Sequence, residues 1–318
     1  RLEIILHDFV QKETRKLISL NEPLSRLLES KDKIVEQVIK GLDIRLSKAD
    51  REKVYYVDTV DMRAFEEFLK GDLQFGLRTA SSREAAIGHF HKAIRLDPTF
   101  ARAYGYLAIL NASLVDQLFA VEISTQEKNR AKQLSEIFAR AAIVIGPNVP
   151  EVNFARAFVS NFIERDYDSA LTFVNHAIDL NPNYADAVAL RAILENRTDP
   201  EKGLKSITES ISMNPLYTVE YLAIKAQAFA KMGRFQELKD ISESMLEREP
   251  NFIMGHIHLI LAEKKLGTRE DVAWAIEELL MVNPQFSLTE YYKNRGNLNS
   301  YKVYTEIFKD VGVPKKHL

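Results

Sequence analysis

The stretch Ala170–Tyr184 reads ALTFVNHAIDLNPNY, and its spacing decides the fold. Ala170, Val174 and Ala177 recur at four- and three-residue steps, which lines one face of an α-helix. The small alanines let a second helix approach closely. Pro182 closes the run, because proline lacks an N–H and its ring blocks the preceding turn. It is tolerated at the entry to the next helix. Tyr184, two residues later, can plug the junction between one unit and the next. Upstream, Phe154, Ala157, Phe158 and Asn161 follow i, i+3, i+4, i+7 spacing, and Asp166-Tyr167-Asp168 breaks that helix from the one carrying Ala170. One unit is therefore helix, short turn, helix.

The unit recurs along the chain. Prolines stand at Pro98, Pro147, Pro182, Pro215, Pro250 and Pro284, with gaps of 49, 35, 33, 35 and 34 residues. Ala93-Ile94-Arg95-Leu96-Asp97 and Ala142-Ile143-Val144-Ile145-Gly146 precede two of them as Ala177–Asn181 precedes Pro182, and Ser210–Asn214 is a weaker copy. Phe100, Tyr184, Tyr217, Phe252 and Phe286 follow two residues after, with Val149 once in their place. A fixed period of about 34 residues marks stacked supersecondary units. Helix starts agree: Ser124-x-x-Glu127, Thr268-x-x-Asp271 and Ser287-x-x-Glu290 read as capping boxes, and Asp199-Pro200 opens a helix with proline in its first turn.

These residues resemble the tetratricopeptide repeat. Tyr104-x-x-Leu107-Ala108 matches the first part of that pattern, Phe154-x-x-Ala157 follows it loosely, and Ala170, Val174, Ala177 and Pro182 match the second part. The resemblance implies a mostly α, right-handed helical solenoid of about six helix-turn-helix repeats. Residues 61–318 are read as the array, ending in a cap built on Tyr291, Tyr292, Tyr301, Tyr304 and Phe308. Residues 1–21 alternate apolar and polar positions around Gln11–Thr14 and read as a β-hairpin. Residues 22–60 read as a helix, with Ile34, Val35, Val38, Ile39, Leu42 and Leu46 on its stripe, followed by a polar linker.

The front portion extends the resemblance. Arg-Leu-Glu-Ile at the start, Lys31–Val35, the Phe-Leu-Lys-Gly segment ending at Gly71 and Asp97–Tyr104 are similar to bacterial regulators in which a TolB-like β/α module precedes a tetratricopeptide array. In such proteins an adenylate-cyclase-like or winged-helix domain often lies upstream, and this stretch matches neither. The first residue is Arg1, so the chain is read as starting inside a longer protein or after processing. The chain is read as cytoplasmic, with the periplasm as the alternative because the N-terminus reads as truncated.

Composition narrows the chemistry. The chain has 318 residues, 46% hydrophobic and 28% charged, with a formal net charge of −2. That is the profile of a folded protein without the strong positive field that favours nucleic acid. The absence of cysteine excludes disulfides, cysteine-bound zinc and a thiol nucleophile. No apolar run reaches the roughly 20 residues of a membrane span. His89-x-His91 and His256-x-His258 are two apart, about 200° around a helix, unlike an i, i+4 chelating pair. No HExxH, GxSxG, phosphate-loop or GxGxxG motif occurs. The reading is a non-catalytic chain that needs no cofactor or metal.

The expected function is therefore recognition of a protein or peptide. The resemblance implies that first helices line a concave face. Aligning the repeats on their prolines points to Arg102, Ile109, Val152, Val159, Phe162, Ile193, Leu222, Phe229, Ile257, Leu261 and Lys264 as a largely apolar partner groove. Two other readings stay open: a groove filled by the protein's own segments, and a structural subunit of a homo- or hetero-oligomeric envelope assembly. The longer second unit, with Leu114, Leu118, Phe119 and Val121, is either a contact element or a change in twist.

Overall fold

The structure is a computed structural model that describes residues 2–8, 13–21, 31–41, 59–77, 79–115, 124–289, 291, 305–311 and 313. The chain divides into two compact units, residues 1–104 and 105–318.

The first unit opens with an antiparallel hairpin, β1 (Leu2–Asp8) and β2 (Glu13–Leu20). Ile4 lies opposite Ile18, but Ile5 lies opposite Lys16, so one extra residue bulges on β2 at Leu17. Glu3 and Lys16 form an ion pair across the strands. Helix α1 (Lys31–Gly41) packs on β2, with Gly41 against the Leu17 side chain. Its stripe of Ile34, Val35, Val38 and Ile39 is half-buried, as the four-residue spacing predicts. Leu42 and Leu46 lie outside the described residues.

The first helix pair follows, α2 (Met62–Gly76) and α3 (Ala80–Leu96). Asp61 caps α2 by accepting from the backbone N–H groups of Arg63 and Ala64. Thr79 and Ser82 cap α3 reciprocally. Gly71 is required by its neighbour: a Cβ there would lie 2.7 Å from the Phe90 ring. Phe68 packs on Phe90 and Phe100, with ring centroids at 5.4 and 4.9 Å.

The following helices form five more pairs: α4 (Ala101–Val115) with α5 (Thr125–Ile145), α6 (Pro150–Val159) with α7 (Tyr167–Leu180), α8 (Ala185–Glu195) with α9 (Pro200–Met213), α10 (Val219–Met232) with α11 (Phe235–Arg248), and α12 (Ile253–Leu266) with α13 (Arg269–Val282). From α5 onward each helix packs on the next, and the first helices α8, α10 and α12 also touch in succession. The alanines do what the sequence requires of them. Ala157, Ala170, Val174 and Ala177 are buried against Leu190 and Leu194 of the following pair. Fully burying each leucine contributes about 1.5–3 kcal/mol. Gly105 comes so close to α6 that an added Cβ would sit 3.3 Å from that of Ala155.

The uneven proline gaps have local causes. Between Pro147 and Pro182 one extra residue is taken up by a π-helical turn, Ser160–Glu164, at the end of α6. Between Pro215 and Pro250 it lies in the entry turn, since α10 starts one residue later after its proline than α8 does. The short gap before Pro215 matches an 11-residue α8, where α10 and α12 have 14. The long gap before Pro147 contains a 21-residue α5, against 14 in α7, α9, α11 and α13. Leu118, Phe119 and Val121 lie outside the described residues.

Phe286, Leu288, Ile307 and Phe308 close the far end by packing on Ile257, Ile260, Ile276 and Leu279 of the last pair. Tyr291 joins them at the edge. Tyr292, Tyr301 and Tyr304 lie outside the described residues.

Candidate functional site

First helices are more deeply embedded than a simple amphipathic stripe predicts. Each is packed by its own second helix and by neighbouring pairs, so apolar side chains are consumed on several faces. Ile109, Val152, Val159, Leu222, Phe229 and Ile257 are all buried. Val159 packs with Ala108, Ala112 and Ala139, Leu222 and Phe229 pack with Leu238 and Met245, and Ile257 joins the cluster under Phe286 and Phe308. These six positions therefore present packing surface to adjacent helices and almost none to a partner. Among the other residues expected in the groove, Phe162, Ile193 and Leu261 are half-exposed and Lys264 is exposed, its Nζ 2.6 Å from Asp310 Oδ2. Phe162 stacks on Phe158 with centroids 4.5 Å apart. In the first unit, the half-exposed Arg102 lays its guanidinium 4.8 Å above the Phe68 ring.

A polar line runs along the starts of these helices that apolar periodicity did not reveal. Glu151, Asp186 and Glu220 are each the second residue of a first helix, in α6, α8 and α10. A carboxylate there is favoured by the positive end of the helix dipole. Tyr221 Oη donates to Asp186 Oδ1 at 2.5 Å. Burial, then the Asp186 charge, push the Tyr221 phenol well above its usual range. Burial also raises the Tyr184 phenol, helped by Tyr106, Asp186, Glu151 and Tyr221 nearby. Tyrosines from three pairs and carboxylates from two thus meet in one neighbourhood. The signal in the sequence is an acidic residue four or five positions after Pro147, Pro182 and Pro215.

The histidine pairs separate as helical geometry demands. His89 Nδ1 lies 2.8 Å from Glu67 Oε2, and this contact with that from Lys70 holds the Glu67 carboxyl down at about 2. His256 Nε2 lies 2.9 Å from the Pro250 carbonyl oxygen. His258 is buried, and desolvation lowers its imidazole to about 4. Open clefts occur among the described residues. One of 440 Å³ is bordered by Arg63, Glu66, Glu67, Lys92, Arg95 and Leu96, and one of 260 Å³ lies beside Lys264 and Thr268. Both are lined by surface ion pairs.

The helical arrangement is matched in solved structures. A chain of the APC/C hetero-tetramer Cut9–Hcn1 superposes with a TM-score of 0.55 at 11% identity, over 91% of this chain and 53% of that one. PilF of Pseudomonas aeruginosa gives 0.51 at 14%, over 77% and 99%. A tetratricopeptide repeat protein from Parabacteroides merdae gives 0.47 at 16%, over 80% and 96%. The fold is a tetratricopeptide-repeat solenoid. No protein-family model matches the chain, and no curated protein matches it either. Among the described residues, no helix of this repeat protein is long and apolar enough to cross a membrane.

Proposed function

We propose that this tetratricopeptide-repeat chain is a non-catalytic scaffold that receives a segment of a partner protein along the first helices of repeats three to six, within a larger bacterial regulator. The resemblance of its front portion to TolB-like regulators supports that setting. One observation supports the binding reading: Tyr184, Tyr221, Asp186 and Glu151 from successive repeats gather in one neighbourhood. Glu151, Asp186 and Tyr221 supply the polar positions of the proposed line, and Phe162, Ile193 and Leu261 supply half-exposed apolar anchors. Rigid presentation lowers the entropy cost of ordering the site on binding. The line is mixed rather than purely apolar, because the buried side chains hold the repeats together.

The test compares recovery of partners by the native chain, by Asp186→Arg combined with Tyr221→Phe, and by Met281→Asp on the outer face of α13. Asp186 and Met281 are exposed, and at the buried Tyr221 the change to Phe keeps the ring and removes only the hydroxyl. The expected result is a partner retained by Met281→Asp and lost, by tenfold or more on the scale of about 1.4 kcal/mol per decade, with the double variant. Equal recovery by all three would overturn the reading. Phe229→Glu would instead test folding, because that ring is buried.

A further inference from the structure

The repeats share a packing rule. In α6, α8 and α10 a small residue, Ala157, Ala192 or Ala226, sits at the middle of the helix, and Ala157 and Ala192 share clusters with Val174 and Ile207 of their own second helices. Side chains two positions to either side of it turn toward the preceding repeat. Val159 meets Ala108 and Ala112, Leu190 and Leu194 meet Ala170, Val174 and Ala177, and Ile224 meets Ala189, Ala192 and Ile207. In the first repeat Gly71 takes the small position against Phe90. The residues on either side of it are Leu69 and Leu73, and both are exposed, at 41% and 67%. Leu77, one turn further, is 57% exposed, and Phe65, one turn back, is half-exposed. Four large apolar side chains at four-residue steps thus form a stripe about 18 Å long on α2, where later repeats bury the corresponding positions.

We propose that this stripe is a self-association surface, on which α2 of a second copy packs antiparallel across a two-fold axis near Leu69. Two observations select that occupant. The apolar cluster of the last repeat is covered, among the described residues, by Phe286, Leu288, Ile307 and Phe308, which disfavours head-to-tail stacking. A head-to-head pairing closes on itself as a dimer. The charges beside the stripe are also self-complementary. Glu66 and Lys70 border it on the same side, 2.9 Å apart within one chain. Antiparallel packing brings Glu66 of each copy beside Lys70 of the other, with Leu69 against its own counterpart and Phe65 against the second copy's Leu73. Four side chains from each copy bury less than the roughly 1,200 Å² of a tight interface. The dimer is therefore weak, with half-association near about 10–100 µM.

Sedimentation equilibrium of the 318-residue chain from about 1 to 300 µM tests this. The expected result is a monomer–dimer equilibrium that Leu73→Glu abolishes. Lys70→Glu and Glu66→Lys each weaken it severalfold, and the double swap restores it, because the swap rebuilds the crossed pairs. All three positions are at the surface, and unchanged thermal midpoints will confirm that the variants fold. A monomer throughout the range, a dimer indifferent to Leu73→Glu, or a double swap no better than its singles would each overturn the proposal.

Discussion

Asn196 shows how one buried polar side chain joins two repeats. Its Nδ2 donates to the Ile224 carbonyl at 3.0 Å, and the backbone carbonyl of Asn196 accepts from Lys231 Nζ at 2.5 Å. Room for it comes from Gly203, where a Cβ would lie 2.0 Å from Asn196 Oδ1. His258 is a buried ring whose Nδ1 has no hydrogen-bond partner among the described residues. Its folded-state value of about 4 lies below the ordinary 6.5. Above pH 6.5 both folded and unfolded rings are neutral. As pH falls from 6.5 through 4, the unfolded chain takes the proton first, so stability is lost over that window, by about 3 kcal/mol at most. Urea denaturation of native and His258→Leu proteins at pH 7.5 and 4.5 will check this. The variant is expected to lose distinctly less stability between the two, and parallel losses would contradict the assignment.

Turns between paired helices differ in how well their residues suit the backbone. Gly233 ends α10 in the left-handed region at φ 71°, and Arg234 N–H reaches back to the Phe229 carbonyl. That is the glycine-ended helix stop. Arg165 occupies the same place after α6 at φ 60°, and the returning bond runs from Asp166 N–H to the Ser160 carbonyl, one residue longer because of the π-helical turn. An arginine there bears a backbone cost of roughly 1 kcal/mol that glycine avoids. Arg165→Gly is expected to raise the thermal midpoint by a few degrees, and Gly233→Ala to lower it by a similar amount. Scanning calorimetry decides this. A fall with Arg165→Gly would mean that the side chain contributes more than the strain costs.

Across the whole molecule, stability in a repeat array passes from neighbour to neighbour. The end cap should therefore matter most where it touches. Phe308 is fully buried against the last pair, and Phe308→Ala is expected to cost about 3–5 kcal/mol. Hydrogen exchange will locate the effect: amides of α12 and α13 should exchange faster, while those of α6 to α9 stay protected. Uniform loss of protection would show instead that the repeats unfold as one cooperative block. The partner and self-association experiments address the same scale, since both ask what the array presents once its own packing is satisfied.

Sequence alone established the solenoid, because its determinants are local and repeated. Proline at a steady period, alanines at helical steps and an aromatic after each proline specify paired helices wherever they occur. The hairpin and the stripe of α1 were legible for the same reason. Which first-helix side chains remain available was decided by the tertiary structure. Val159, Leu222 and Ile257 look like groove residues along one helix, yet they are claimed by the helices packed around them, while Leu69 and Leu73 of the first pair are left open. Periodicity reports that a side chain faces something apolar. Only the packed arrangement of several helices determines whether that something is the protein itself.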